Sequence, residues 1–86
     1  METIKLSHAI TIENNTYEKL SLRRPKVRDR LAVERLKKTD AEKEITMIAN
    51  LAEVTVEVIE ELDLADYGKI QEVLQSFLEA SQVISD

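Results

Sequence analysis

Leu22-Arg23-Arg24-Pro25-Lys26-Val27-Arg28-Asp29 is the stretch at which this 86-residue chain changes periodicity. Before it, apolar residues recur at every second position; after it, they recur at three- and four-residue steps. Those are the spacings of a half-buried strand and of an amphipathic helix. Pro25 has no N–H and a φ near the helical value, so it suits the first turn of a helix and holds Arg24 extended. The boundary is placed there. Arg23, Arg24, Lys26, Arg28 and Arg30 crowd the positive end of the coming helix dipole, where acids are favoured, so local helix energetics does not account for them. One reading is a solvated basic surface whose stems cover the sheet and whose heads pair with acids elsewhere in the chain. The other is a docking site for an acidic partner or a phosphate. The first is preferred.

On the N-terminal side, Ile4, Leu6, His8, Ile10 and Ile12 alternate with polar or small residues, and Tyr17 to Leu22 forms a second run with Leu20 and Leu22 two apart. Asn14-Asn15 is the expected turn, since Asn tolerates left-handed backbone. A two-residue turn there would put Leu20 opposite Ala9 and away from Ile10. A three-residue connection or a bulge brings Ile10 opposite Leu20 and His8 opposite Leu22 on one face, and this bulged hairpin is favoured. His8, the only histidine, is expected on that apolar face as a packing residue without chemistry.

On the C-terminal side the first helix spans about Lys26 to Lys38. Val27 and Leu31 point one way, and Ala32, Val33 and Leu36 roughly the other: one face is expected on the hairpin and the other either on later helices or available to a partner, the sandwiched helix being preferred. Thr39-Asp40-Ala41-Glu42 reads as a capping box opening a second helix to about Val54. Thr55 is the expected N-cap of a short helix, Val56 to Leu62, and Asp63 that of the last. In the last helix Tyr67, Ile70, Val73, Leu74, Phe77, Leu78 and Ile84 form the clearest apolar stripe of the chain. The expected fold is α+β: one domain over residues 1–86, with an antiparallel β-hairpin over 1–22 and three to four α-helices over 25–86.

Charge is unevenly placed. Residues 19–38 hold nine Lys or Arg against Asp29 and Glu34, a net of +7, whereas residues 39–86 carry a net of −10 within a chain of net charge −5. Neutralisation can come from internal packing or from a partner. There are no cysteines, so disulfides, thiolate metal sites and a cysteine nucleophile are excluded. The N-terminus has no apolar run of signal-peptide length, and no apolar stretch approaches the roughly 18 residues of a membrane span. A cytoplasmic protein without a membrane role is expected.

One glycine and one histidine leave no Gly-rich phosphate loop, HExxH or Ser-His-Asp set. Glu60, Glu61, Asp63 and Asp66 are accounted for by solvated faces and caps. No enzyme, metal or cofactor is expected. Nucleic-acid binding through residues 23–38 ranks lower, because the net charge is negative and Tyr17, Tyr67 and Phe77 are too few for a stacking platform.

Taken together, the hairpin, the Leu22–Asp29 junction, the capped helix with Ile45-Thr46-Met47-Ile48-Ala49, then Leu62-Asp63-Leu64-Ala65-Asp66-Tyr67 and a final helix through Phe77-Leu78 resemble the small tail assembly chaperones of Mu-like and P2-like bacteriophages and prophages. The junction and the Asp66-Tyr67 pair carry most of the likeness. It implies a non-enzymatic protein of the host cytoplasm, absent from the finished virion, that coats the tape measure protein. It also implies a longer form of the same chain made by ribosomal frameshifting. Leu22, Arg23, Arg24, Pro25, Arg28, Asp66 and Tyr67 are the partner-binding residues this reading singles out, with self-association a further expectation. A small helical adaptor or oligomerisation module is the alternative.

Overall fold

The structure, a computed structural model, describes the backbone of residues 1–83 and the side chains of residues 1–79. Strands β1 (Glu2–Ile12) and β2 (Asn15–Leu22) form an antiparallel hairpin, followed by helices α1 (Val27–Glu34), α2 (Asp40–Ala52), α3 (Val56–Glu60) and α4 (Leu64–Val83). The fold is α+β, as the change of period at Pro25 requires. The expected place of Ile84 on the last stripe lies outside the described residues.

The hairpin departs from the expected register in two ways. Its turn is Glu13-Asn14, one residue earlier than Asn14-Asn15, and both residues are left-handed, with φ of 46° and 70°. A two-residue hairpin turn needs that sign twice, to match the right-handed twist of its strands. Near the turn, Ile12 pairs with Asn15, Thr11 with Thr16 and Ile10 with Tyr17; at the open end, Lys5 pairs with Lys19, Ile4 with Leu20 and Glu2 with Leu22. Between these blocks, residues 6–9 of β1 face only Glu18, so β1 carries three more residues than its partner there. A bulge is present, but in mid-strand, and it breaks the alternation. Leu6 and Ile10 stay buried, while His8 turns out, its side chain 70% accessible. His8 is therefore not on the apolar face, and Ile10 does not face Leu20.

The inner face of the hairpin, Ile4, Leu6, Ile10, Leu20 and Leu22, joins Ile48, Ala49 and Leu51 of α2, Val58 and Ile59 of α3, and Ile70 and Phe77 of α4 in one core. Such side chains contribute about 1.5–3 kcal/mol each when fully buried. Asp63 caps α4, its carboxylate accepting the Ala65 N–H at 3.0 Å. Thr55 sits at the N-cap of α3 without a side-chain bond. The capping box of α2 forms in full: the Glu42 amide donates to Thr39 Oγ1 (3.2 Å) and the Thr39 amide to Glu42 Oε1 (3.0 Å).

The first helix is shorter than its apolar pattern suggests. It stops at Glu34 and packs chiefly on α2, not on the hairpin. The chain has to leave the helix early enough for Thr39 to cap α2. Val33 is buried, but Val27 and Leu31 remain 77% and 49% exposed, so the helix is not sandwiched.

Helix α2 ends on Glu53 at φ 57°, ψ 43°, a left-handed position that Gly adopts without Cβ strain. The Val54 amide donates to the Ala49 carbonyl at 3.1 Å, closing the end in a Schellman arrangement. Glu53→Gly is expected to stabilise the protein by about 1 kcal/mol, read as a higher urea midpoint at unchanged slope.

Candidate functional site

The junction is built around an acid. Asp29 lies in the first turn of α1, where carboxylates suit the dipole, and it is almost fully buried. Arg23 reaches it with both arms of its guanidinium, Nη1 to Oδ2 and Nη2 to Oδ1, each at 2.8 Å. The Lys26 amide donates to the same Oδ2 at 2.7 Å. The Arg23 fork, and then this amide, hold the Asp29 carboxyl well below the usual carboxylate range. The Arg23 amide donates to the Leu51 carbonyl at 3.1 Å, which fastens the junction to the end of α2, and Leu22 beside it is wholly buried. Leu22 and Arg23 thus set the direction in which the chain enters α1.

The remaining cations of the junction point outward. The Arg24 guanidinium lies 5.2 Å from the centroid of the Phe77 ring, a cation–π distance. Pro25 is half-buried and Arg28 exposed. Among the described residues, the side chains of Arg28, Arg30, Arg35, Lys37 and Lys38 make no hydrogen bond or salt bridge. Within the basic segment, Arg23 forms the salt bridge seen among the described residues, while Arg28 also acts on Asp29 and Lys38 on Glu42 at longer range.

Asp66 and Tyr67 form a second cluster. Asp66 is fully buried and closes the β1 bulge. The Ser7 amide donates to both carboxylate oxygens at 3.0 Å and the His8 amide to Oδ2 at 3.1 Å. These are amides the bulge removes from the strand ladder, and an unpaired amide shielded from water is costly. Lys69 stands 3.2 Å from Asp66 Oδ1 and donates to Ser7 Oγ at 2.8 Å. The Ser7 amide foremost, then the His8 amide and Lys69, push the Asp66 carboxyl down to about 2.

Tyr67, the next residue, donates its O–H to Glu44 Oε1 at 2.5 Å, and Gln71 Nε2 donates to the same oxygen at 2.9 Å. Burial, and then the Glu44 carboxylate, push the Tyr67 phenol up. The pair ties α4 to α2. Tyr67→Phe is expected to cost about 1 kcal/mol, the net worth of one such bond, measured by urea unfolding.

The seven residues singled out from sequence thus fall in two places. Leu22, Arg23, Asp66 and Tyr67 hold the fold; Arg24, Pro25 and Arg28 face outward. Not singled out from the sequence were Asp29, the mid-strand position of the bulge at Ser7–His8, and Glu44. Only Asp29 left a local signal, an acid three residues after the start of a helix.

Among the described residues no group of three or more His, Asp or Glu could hold a metal ion, and no helix is long and apolar enough to cross a membrane. A depression of about 670 Å³ lies on the outer face of the hairpin among Thr3, Lys5, Thr16, Tyr17, Glu18 and Lys19. A second, of about 400 Å³, runs beside α1 past Pro25, Val27, Arg30, Glu34 and Met47.

What the fold and the two clusters define is a small α+β protein whose buried carboxylates lock a hairpin to helices and whose basic helix turns its free charges outward. The family model for phage tail assembly chaperone proteins, E, or 41 or 14, matches residues 3–79, and the chain belongs to that family. No curated protein and no solved structure matches it.

Proposed function

We propose that this chain assists tail assembly by binding the tape measure protein in the host cytoplasm, without catalysis, and that it is absent from the finished virion. Membership of the tail assembly chaperone family supports the reading. The observation that carries it is the outward charge of the junction. A chain of net charge −5 keeps Arg28 and Arg30 without a hydrogen-bonded or salt-bridged side-chain partner among the described residues, although it has acids enough to pair them. Arg24, Pro25 and Arg28 contact the partner directly in this reading, and Leu22, Arg23, Asp66 and Tyr67 position them. A frameshifted longer form of the chain, and further copies of it, are additional partners.

Co-expression of the tagged protein with the adjacent tape measure gene tests the proposal. Capture of the tape measure protein at moderate salt, with its recovery in soluble form dependent on the chaperone, is the expected result. Recovery of the tagged protein alone would refute the tape-measure reading and favour an adaptor or self-assembling module. Capture of nucleic acid, falling steeply with salt, would favour a regulator using residues 23–38.

A further inference from the structure

The outward face of α1 combines exposed apolar side chains with cations that make no salt bridge among the described residues. Val27 and Leu31, one helical turn apart and therefore on one side, are 77% and 49% exposed. Arg28 and Arg30 flank them, and among the described residues neither cation has a hydrogen-bonded or salt-bridged side-chain partner. The groove of about 400 Å³ beside this face continues it over Pro25, Lys26 and Met47, with the single acid Glu34 against the cations Lys26 and Arg30 in its lining. From this geometry we infer that Val27, Leu31, Arg28 and Arg30 form the docking face of the protein, and that its occupant is an acidic amphipathic helix within the tape measure protein. The inference rests on the proposed function for the identity of the partner.

Charge and shape select that occupant. An apolar pair one turn apart, bordered by cations, matches a helix with apolar residues at i and i+4 bordered by Asp or Glu. Nucleic acid would use the arginines but leave Val27 and Leu31 without a counterpart. A second copy fits less well. In a two-fold pair each face meets itself, so Arg28 and Arg30 would oppose their own duplicates. In a head-to-tail contact the donor would need a free helical stripe, yet Ile70 and Phe77 of α4, its longest helix, are buried in its own core, and its exposed Leu64 and Leu78 are too far apart along the helix to form one. The acidic α3 is only five residues long.

The test compares capture of the co-expressed tape measure protein by the wild type and by three double variants. Val27→Asp with Leu31→Gln, and Arg28→Glu with Arg30→Glu, are each expected to reduce capture about tenfold or more, as loss of a central anchor does. Lys37→Glu with Lys38→Glu makes the same change in net charge outside the face and is expected to leave capture within about twofold. Thermal melts establish that each variant folds, which the exposure of these side chains favours. Hydrogen exchange on the complex is expected to protect an acidic, amphipathic stretch of the tape measure protein.

Wild-type capture with undiminished capture by both α1 variants would overturn the inference and leave the proposed function standing. Protection of a basic or non-helical stretch would overturn the choice of occupant. Loss of self-association in the variants, with capture unchanged, would assign the face to a second copy and overturn it likewise. Absence of capture by the wild type would refute the proposed function, and this inference with it.

Discussion

Asp66→Ala is expected to lower the thermal midpoint by on the order of 10 °C or more, the largest effect of any single truncation outside the apolar core. The substitution strips the carboxylate from two backbone amides, Ser7 and His8, and from Lys69. Ser7 and His8 have no paired residue on β2. Asp66→Asn keeps the shape and one acceptor oxygen, so it is expected to fall between the wild type and Asp66→Ala. Hydrogen exchange should localise the damage, with amides of β1 losing protection before those of α2.

The same residue makes acid stability diagnostic. Its carboxyl is lowered from the usual 3.8 to about 2 in the folded protein. Below 3.8 the unfolded chain binds the proton first, so stability falls with falling pH. The contribution of Asp66 is therefore complete above about pH 4 and is lost as the pH falls through about 2. Asp29, depressed by Arg23, acts in the same direction. Asp66→Asn is expected to flatten the fall in stability between pH 4 and pH 2; an unchanged profile in this variant would show that the carboxylate is not the group titrating.

Arg23→Ala is expected to have the second-largest effect, also on the order of 10 °C, because it leaves Asp29 shielded and without its cation. Removing one member of a buried pair costs more than the pair contributes, so Arg23→Met with Asp29→Leu should be milder than Arg23→Ala alone. Arg23→Lys should recover only part of the loss, since an ammonium cannot engage both carboxylate oxygens in the fork geometry. A double-mutant cycle over Arg23 and Asp29 gives the coupling directly. This has a bearing on function. Reversing Arg23 and Arg24 together would disturb the fold as well as any docking face, so loss of binding in that variant would not distinguish the two. Arg28 and Arg30 are the cations whose reversal reports on a partner.

The core and both carboxylate clusters are built from residues of the chain itself. The exposed apolar pair of α1 lies outside them. Filling or emptying that face would leave Asp29 and Asp66 undisturbed.

What could be read from the sequence was local. The change of period at Pro25, the Thr39–Glu42 box and the Asp63 cap each depend on residues within a few positions of one another, where backbone geometry and side-chain reach leave few alternatives. The hairpin was legible for the same reason, but its register was not. Alternation places residues on faces only while the ladder is regular, and the bulge at residues 6–9 is held open by a carboxylate 59 positions away. The expected partner-binding residues divided along the same line. Leu22, Arg23, Asp66 and Tyr67 stood out as a charged junction and an acid–tyrosine pair, yet only packing decided that they are spent on the fold. Whether a cation on this chain is paired or free depends on which acid the folded helices bring within reach, and no spacing along the sequence encodes that distance.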